Sequence, residues 1–345
     1  MLLKYDSVVE PGAASTLTLQ VIDKTRRLVE FEPEWSSFAR NIAGLTPFQL
    51  PEWLLTWWSH FGTNGELHAL VFRETGSIVG VIPCFLHDWN GVRQMTLIGS
   101  GISDYLEPAL DLRHCSAILE QLQHHLEANS DWDVCEWQDL SARTPLRSVA
   151  SDAFESIASE DAPCTEIRLA GTFEEFRNAR PKDLKRNLRR YRQKAEAMGR
   201  LEFCVSKEAD PELMDALVEL HTAKWLKRGQ PGMIQANGSA EFLCDVARKF
   251  AALDMLRFFT LRFQGKISAL IVAFPYGKTM YGYLSAFHPE HEHLGFGRTL
   301  LYEALRNCFE NGYKAWNFLR GEEAYKFWWG AQRISKCRVR LSQKP

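Results

Sequence analysis

Apolar residues along this chain fall into runs with two different periods, and one such pattern occurs twice. Leu67 to Phe85 (LHALVFRETGSIVGVIPCF) aligns without gaps on Leu256 to Phe274 (LRFFTLRFQGKISALIVAF). In both, two runs rich in Val, Ile, Leu and Phe flank a short turn, Glu74-Thr75-Gly76 or Phe263-Gln264-Gly265, whose glycine supplies the positive φ that a tight hairpin needs. Each copy continues through a further strand, Met95 to Ile98 or Met280 to Ala286, and then the period changes from two to about 3.6. The first helix is expected at about Ser116 to Ala128, with Ile118, Leu119, Leu122 and Leu126 on one face. Its counterpart is expected at about Gly297 to Asn311, with Leu300, Leu301, Ala304, Leu305 and Cys308 inward and Asn311-Gly312 as the stop. A strand closes each copy: Trp132 to Trp137, and Tyr313 to Phe318.

Each half therefore reads hairpin, strand, helix, strand. A helix between two strands can return the chain to a parallel neighbour, so the expected fold class is α/β: two tandem lobes, each a mixed sheet layered with helices. The boundary is placed near Pro163, giving lobes at 1–163 and 164–345.

Composition changes this picture little. The 345 residues are 46% hydrophobic and 24% charged, as expected of a folded globular chain of about two domains. The formal net charge of −2 demands neither nucleic acid nor an anionic membrane, so any charge argument must be local. No signal peptide or membrane-spanning run is evident, and a cytoplasmic location is expected. Eight scattered cysteines form no CxxC or zinc-type spacing, so reduced thiols are expected. His291 and His293 around Glu292 lack a third ligand in their loop, so no metal is expected.

One local cluster stands out. The segment 181–198 holds Lys182, Lys185, Arg186, Arg189, Arg190, Arg192 and Lys194 against only Asp183 and Glu196. Leu184, Leu188, Tyr191, Ala195 and Met198 recur at helical spacing, so a docked helix with an outward basic face is expected. It is either a solvated face or a site for an anionic partner: cofactor phosphates, an acyl-carrier protein, an anionic glycan or lipid head, or, least favoured, RNA.

The two copies differ where the strand meets the helix. The second has Gly295-Phe296-Gly297-Arg298-Thr299, whereas the first has Asp111 to Ser116 without glycine. A helix N-terminus offers unpaired N–H groups and the positive end of the macrodipole, and glycines let a phosphate approach closely. Arg298 adds a charge and Thr299 a hydroxyl.

This strand, glycine turn and helix within a hairpin-strand-helix-strand unit resemble the GNAT acyl-CoA N-acyltransferase superfamily. Trp316 to Trp329 (WNFLRGEEAYKFWW) is similar to the F-L-R-G-x-E-x-Y-K signature of the CelD-like, FemAB-related branch of double-GNAT proteins. Gly101-Ile-Ser-Asp104-Tyr105, His221-Thr-Ala-Lys-Trp225 and the basic helix match that branch in kind and order, so the likeness spans about residues 35 to 335. The position that usually holds Gln or Arg in the phosphate loop is here Glu292.

The resemblance implies a degenerate first lobe on the acceptor side. It implies a second lobe that binds acetyl-CoA or another acyl-CoA through Gly295, Phe296, Gly297, Arg298 and Thr299. The implied activity is acyl transfer to an amine or hydroxyl, with a sugar or polysaccharide precursor as one acceptor class, by direct transfer in a ternary complex. Candidate bases are Glu322 and Glu323 at a strand end, or His221; Tyr325 is a candidate proton donor and Asp104 a further acid. Tyr105, Trp225, Arg320 and Lys326 are candidate substrate-binding residues. Each has a structural alternative: Glu322 and Glu323 pairing with Arg320 and Lys326, Asp104 satisfied in its turn, His221 in the core. Trp53, Trp57, Trp58, Trp328 and Trp329 could stack on sugar rings or fill the core. The alternatives in function are an aminoacyl-tRNA-dependent ligase of FemAB type and a non-catalytic GNAT pair.

Overall fold

The computed structural model describes residues 17–227, 229–230, 232–235 and 238–344. The first half runs β1 (Leu17–Ile22), α1 (Thr25–Arg40), α2 (Pro51–Phe61), β2 (Glu66–Glu74), β3 (Ser77–Trp89), β4 (Val92–Leu97), β5 (Ala109–Leu110), α3 (Cys115–Ala128), β6 (Val134–Ser141) and β7 (Phe154–Arg168). The second runs α4 (Phe173–Asn178), α5 (Lys182–Met198), β8 (Leu201–Ser206), α6 (Pro211–Leu226), α7 (Ser239–Ala252), β9 (Arg257–Phe263), β10 (Lys266–Tyr276), β11 (Thr279–Phe287), α8 (Phe296–Glu310), β12 (Ala315–Arg320), α9 (Ala324–Trp328) and β13 (Gln332–Gln343).

The repeat extends to the backbone. Thr75 and Gly76 have φ of 48° and 87°, Gln264 and Gly265 of 51° and 82°, so both hairpins turn through two left-handed residues. Helices α3 and α8 begin one residue before the expected starts, and Gly312 stops α8 at φ 74°. In each lobe a parallel pair then follows: β4 with β6, and β11 with β12.

All strands join one sheet, in the order β1-β2-β3-β4-β6-β13-β7-β12-β11-β10-β9-β8, with β5 beside β3. The centre of this order is an exchange. Strand β7 follows β6 in sequence but lies against β12, while β13 follows β12 but lies against β6, and the two pair with each other over Phe154 to Glu166. Pro163 thus sits inside a strand that both lobes share.

Two cores cover the faces. One surrounds Leu294, Phe296, Leu300 and Trp316 beneath α8. The other is continuous across the lobes, because α2 of the first packs on α7 of the second. There Trp53, fully buried, meets Phe242 edge-on at 5.0 Å and Tyr283 at 5.2 Å. Trp57 and Trp58 are buried in the same core and Trp329 in the other, which leaves Trp328 as the exposed member of the five tryptophans considered for stacking. All eight cysteines are unpaired, and no helix among the described residues is long and apolar enough to cross a membrane.

Candidate active site between the lobes

The parallel pairing of β11 with β12 lasts for three residue pairs and ends at Tyr281 and Asn317. A bulge sets this limit. Opposite β10, Val272 pairs with Leu284 and Ala273 with Gly282, so Tyr283 is an extra residue that bends β11 away. Strand β12 carries an irregularity of its own against β7, between Asn317 and Leu319, with Leu319 at φ 62° and its N–H donated to Asn317 Oδ1 at 2.8 Å. Between them the sheet is open, and backbone groups on the inner edge of β11 face the gap rather than a neighbouring strand.

A loop of the first lobe enters this gap. It is anchored by Ser103, whose hydroxyl accepts from Trp53 Nε1 at 2.9 Å and donates to the Gly99 carbonyl at 2.7 Å, and by Tyr283, whose hydroxyl donates to the Ile102 carbonyl at 3.1 Å. Gly99 is required: its φ is 102°, and a Cβ there would lie 2.8 Å from Leu106 and Ser103. The loop delivers Tyr105 to Asn317, whose Nδ2 donates to the phenol oxygen at 2.8 Å and to Glu166 at 3.2 Å.

Next to Tyr105 is a cluster of opposed charges. Arg320 at the end of β12 donates to Asp139 at 2.8 Å and to the Ser103 carbonyl at 2.9 Å, and its Nε lies 3.3 Å from Asp104. Lys336 of β13, almost fully buried, donates to the Asp139 carbonyl at 2.5 Å with its ammonium 3.9 Å from the centre of the Tyr105 ring. Cys164 of β7 donates to the Asp104 carbonyl at 3.7 Å. Burial pushes the Asp139 carboxyl up to about 6, against the opposing pull of Arg320 and Lys336, and raises Asp104 for the same reason. It lowers Lys336, and pushes the Cys164 thiol up to about 11. The Tyr105 phenol is also raised by burial, so it keeps its proton at any physiological pH.

Of the residues singled out from sequence, Asp104, Tyr105 and Arg320 meet here. Lys326 stands behind them, buried, donating to the carbonyls of Arg320 and Gly321. Glu322 and Glu323 are exposed: Glu323 pairs with Lys326 at 2.9 Å, and Glu322 lies 3.6 Å from Arg333. Tyr325 is 36% exposed and edge-on to Phe318, and its phenol is pushed up to about 12, by desolvation first and then by Glu323. His221 and Trp225 share one face of α6, rings 5.9 Å apart, packed closely by Gly232. His221 is buried, its pKa drops to about 4 through burial and then Lys224, and its Nδ1 has no hydrogen-bond partner among the described residues. Met233, beside Gly232, reaches the Tyr283 hydroxyl at 3.9 Å, so the α6 face adjoins the loop that carries Asp104.

Asp139, Lys336, Asn317, Ser103 and Tyr283 were missed in the sequence. The repeat held one usable signal. Val134 and Ala315 begin the matched strand pairings with Gln94 and Thr279, so Asp139 and Arg320, each five residues on, occupy equivalent positions in the two copies and bond to each other.

The glycine turn lies at the start of α8, as expected, but its glycines answer to packing. Gly295 has φ 64°, and a Cβ there would lie 2.5 Å from the Tyr191 ring of α5; at Gly297 it would lie 3.1 Å from Phe287. Arg298 reaches the Tyr191 hydroxyl at 3.2 Å and lies between the rings of Tyr191 and Trp328, 5.6 and 5.4 Å from their centres. Buried Thr299 donates its N–H to the Gly295 carbonyl. Glu292, the unexpected carboxylate, is bonded to Lys227 at 2.7 Å. For a phosphate the chain offers the first N–H groups of α8, at Phe296 and Gly297, and the Arg298 guanidinium; the surface of Gly295 itself is covered. Replacing Gly295 by alanine is expected to cost about 2 kcal/mol, from the left-handed φ and the clash together. Urea unfolding of Gly295→Ala, alone and with Tyr191→Ala, checks this: the second change should recover part of the loss.

Residues 182–327, from the start of α5 to α9, match the family model described as an acetyltransferase (GNAT) domain. No curated protein matches the chain in sequence. Among solved structures, FemX superposes with a TM-score of 0.65 at 11% identity, over 89% of this chain and 95% of its own. L-PGS from Bacillus licheniformis gives 0.56 at 10%, over 89% and 90%. A tandem GNAT protein from the clavulanic acid biosynthesis pathway gives 0.50 at 12%, over 95% and 99%. At these identities the likeness is one of fold, and it spans both lobes. Residues 182–327 match a GNAT acetyltransferase domain, and the chain as a whole shares its two-lobe fold with FemX and with the tandem GNAT protein.

Proposed function

We propose that the protein is an acyltransferase that moves an acyl group, acetyl in the simplest case, from a coenzyme A thioester to an amine or hydroxyl held between the lobes. A sugar or polysaccharide precursor is the acceptor class put forward. The observation that carries this reading is the opening between β11 and β12 beyond Tyr281 and Asn317, with a first-lobe loop seated in it. The thioester supplies an acyl carbon already activated for attack. What remains for the chain is to place the acceptor, stabilise the developing oxyanion and return a proton to the departing sulfur. Backbone N–H groups on the open edge of β11 serve the oxyanion. Tyr105 holds a proton, accepts a hydrogen bond from Asn317 and donates its own to the Cys164 sulfur, a weak acceptor from which the O–H can turn to the leaving group. His221 is neutral at physiological pH and adjoins the same loop, which suits it to take the acceptor's proton.

Calorimetry with acetyl-CoA tests the donor. Wild type is expected to bind, Gly297→Asp to lose binding by placing a carboxylate at the helix N-terminus, and Tyr191→Ala to bind more tightly by uncovering Gly295. If neither wild type nor Tyr191→Ala takes up the thioester, the coenzyme A donor is ruled out. The Tyr191 ring on Gly295 and the exposed basic face of α5 favour, in that event, aminoacyl-tRNA as donor or a non-catalytic binding protein. Aminoacyl-tRNA retained on the purified protein separates these two.

A further inference from the structure

Helix α5 is docked by a narrow stripe, Leu184 and Ala195 being its buried residues, while Lys182, Arg186, Arg189 and Arg190 are exposed. Two of its basic residues are already engaged: Arg192 pairs with Glu196 and Glu303, and Lys185 donates to the Asn178 carbonyl. Asp183 pairs with Arg186 at 2.7 Å, so the outward ridge keeps a clear positive excess. Alongside lies the short helix α9. Tyr325, Phe327 and Trp328, exposed by 36, 41 and 44%, form three of the eleven exposed large hydrophobics among the described residues, gathered within four positions of sequence. The two helices are contiguous: Arg298 joins Tyr191 of α5 to Trp328, and Arg180 donates to the Trp329 carbonyl. Between α5 and Trp329 an apolar cleft is lined by Phe176, Leu184, Leu188 and Trp329 and rimmed by Arg180 and Lys185.

We propose that this α5–α9 face docks on an anionic phospholipid bilayer, with Phe327 and Trp328 at the boundary between headgroups and acyl chains and the basic ridge over the phosphates. An exposed aromatic group costs little at that boundary, where rings with one apolar and one polar side prefer to lie. Cations beside it gain from the negative surface potential of the leaflet. Here the aromatic residues stand together on one helix and the basic residues on the next, the segregation that a bilayer interface rewards. A single-stranded nucleic acid site instead interleaves stacking rings with cations along a groove. The overall charge of −2 means that the attraction is confined to this face.

Co-sedimentation of the full chain with phosphatidylcholine vesicles, with and without about one third phosphatidylglycerol, tests the proposal. Binding is expected only to the anionic vesicles, and is expected to weaken sharply as salt rises from about 0.05 to about 0.5 M. Lys182→Glu/Arg186→Glu/Arg189→Glu should weaken it by at least about tenfold. Phe327→Ser/Trp328→Ser should also weaken it while leaving the salt dependence in place. All five basic and aromatic sites tested are exposed, and unchanged thermal unfolding of each variant confirms that folding is not the cause. No binding to anionic vesicles, or binding indifferent to both variants, overturns the proposal. So does retention of RNA by the wild type that the triple variant loses while vesicles remain unbound. The vesicle assay involves no thioester, so its outcome is independent of the donor calorimetry.

Discussion

Arg320→Ala is expected to destabilise the protein by about 2–3 kcal/mol at neutral pH, the lower part of the range for a broken buried pair, because the Arg320 side chain keeps 41% of its exposure. The cost arises on the other side of the interface. Asp139 is 2% exposed and Asp104 16%, and without the guanidinium the two carboxylates repel each other with Lys336 and, for Asp104, Lys326 as the cations left to them. The pH dependence fixes the cause. Burial raises the Asp139 carboxyl from 3.8 to about 6, so the folded protein binds this proton more tightly than the unfolded chain. The resulting contribution is fully present below the unfolded value and is lost as pH rises through about 6. Removing Arg320 raises the folded value further, so the loss continues to higher pH. The destabilisation by Arg320→Ala should therefore be small near pH 4 and largest above pH 7, as read by urea unfolding across that range. A penalty independent of pH would show that Arg320 acts through packing instead. Adding Asp139→Asn should recover part of the loss, since the two residues are in direct contact.

Lys326→Met is expected to cost a similar amount, about 2–4 kcal/mol, although its ion pair is with exposed Glu323 rather than with an interlobe carboxylate. Its ammonium satisfies the carbonyls of Arg320 and Gly321 in a turn where Gly321 has φ 106°, and a thioether cannot replace those bonds. The Arg320 carbonyl would lose this donor, and the Gly321 carbonyl would keep only the long bond from the Thr165 hydroxyl at 3.4 Å, at the point where β12 hands Arg320 to the first lobe. Glu323→Gln, by contrast, should stay within about 1 kcal/mol, because that carboxylate is 59% exposed and its pair is screened. The comparison separates two readings of the same motif. If Glu323 were the catalytic base, Glu323→Gln would abolish transfer at unchanged stability. If the motif is a clasp, Lys326→Met carries the loss, and activity falls with it because Arg320 and Tyr105 lose their fixed geometry. Parallel measurement of unfolding and of acyl transfer on the two variants decides between them.

The fold was legible because it repeats. Two hairpins with the same left-handed turn, two amphipathic helices and two closing strands leave few alternatives once aligned, and each element is governed by residues within it. The exchange of β7 and β13 was not legible, because both are ordinary strands by pattern. Only the shared edge in the middle of the sheet determines which lobe each one joins. The site divides the same way. Asp104, Tyr105 and Arg320 stood in recognisable local motifs, and Asn317 stood in the same segment as Arg320 without being singled out, whereas Asp139 and Lys336 sit in strands where nothing local marks them.

The glycine turn shows the limit most clearly. The sequence determined its place, after β11 and before α8, because periodicity, breakers and the stop at Gly312 are local properties. What those glycines are for was decided by the tertiary structure, which brings Tyr191 and Phe287, from elements far apart in the chain, against the positions a Cβ would take. The sequence determined two repeated halves of an α/β chain and one local difference between them, the glycine turn of the second. How the halves meet, with one opening in the sheet entered by the other lobe's loop and clasped by Arg320, depends on long-range contacts, and no local pattern records such contacts.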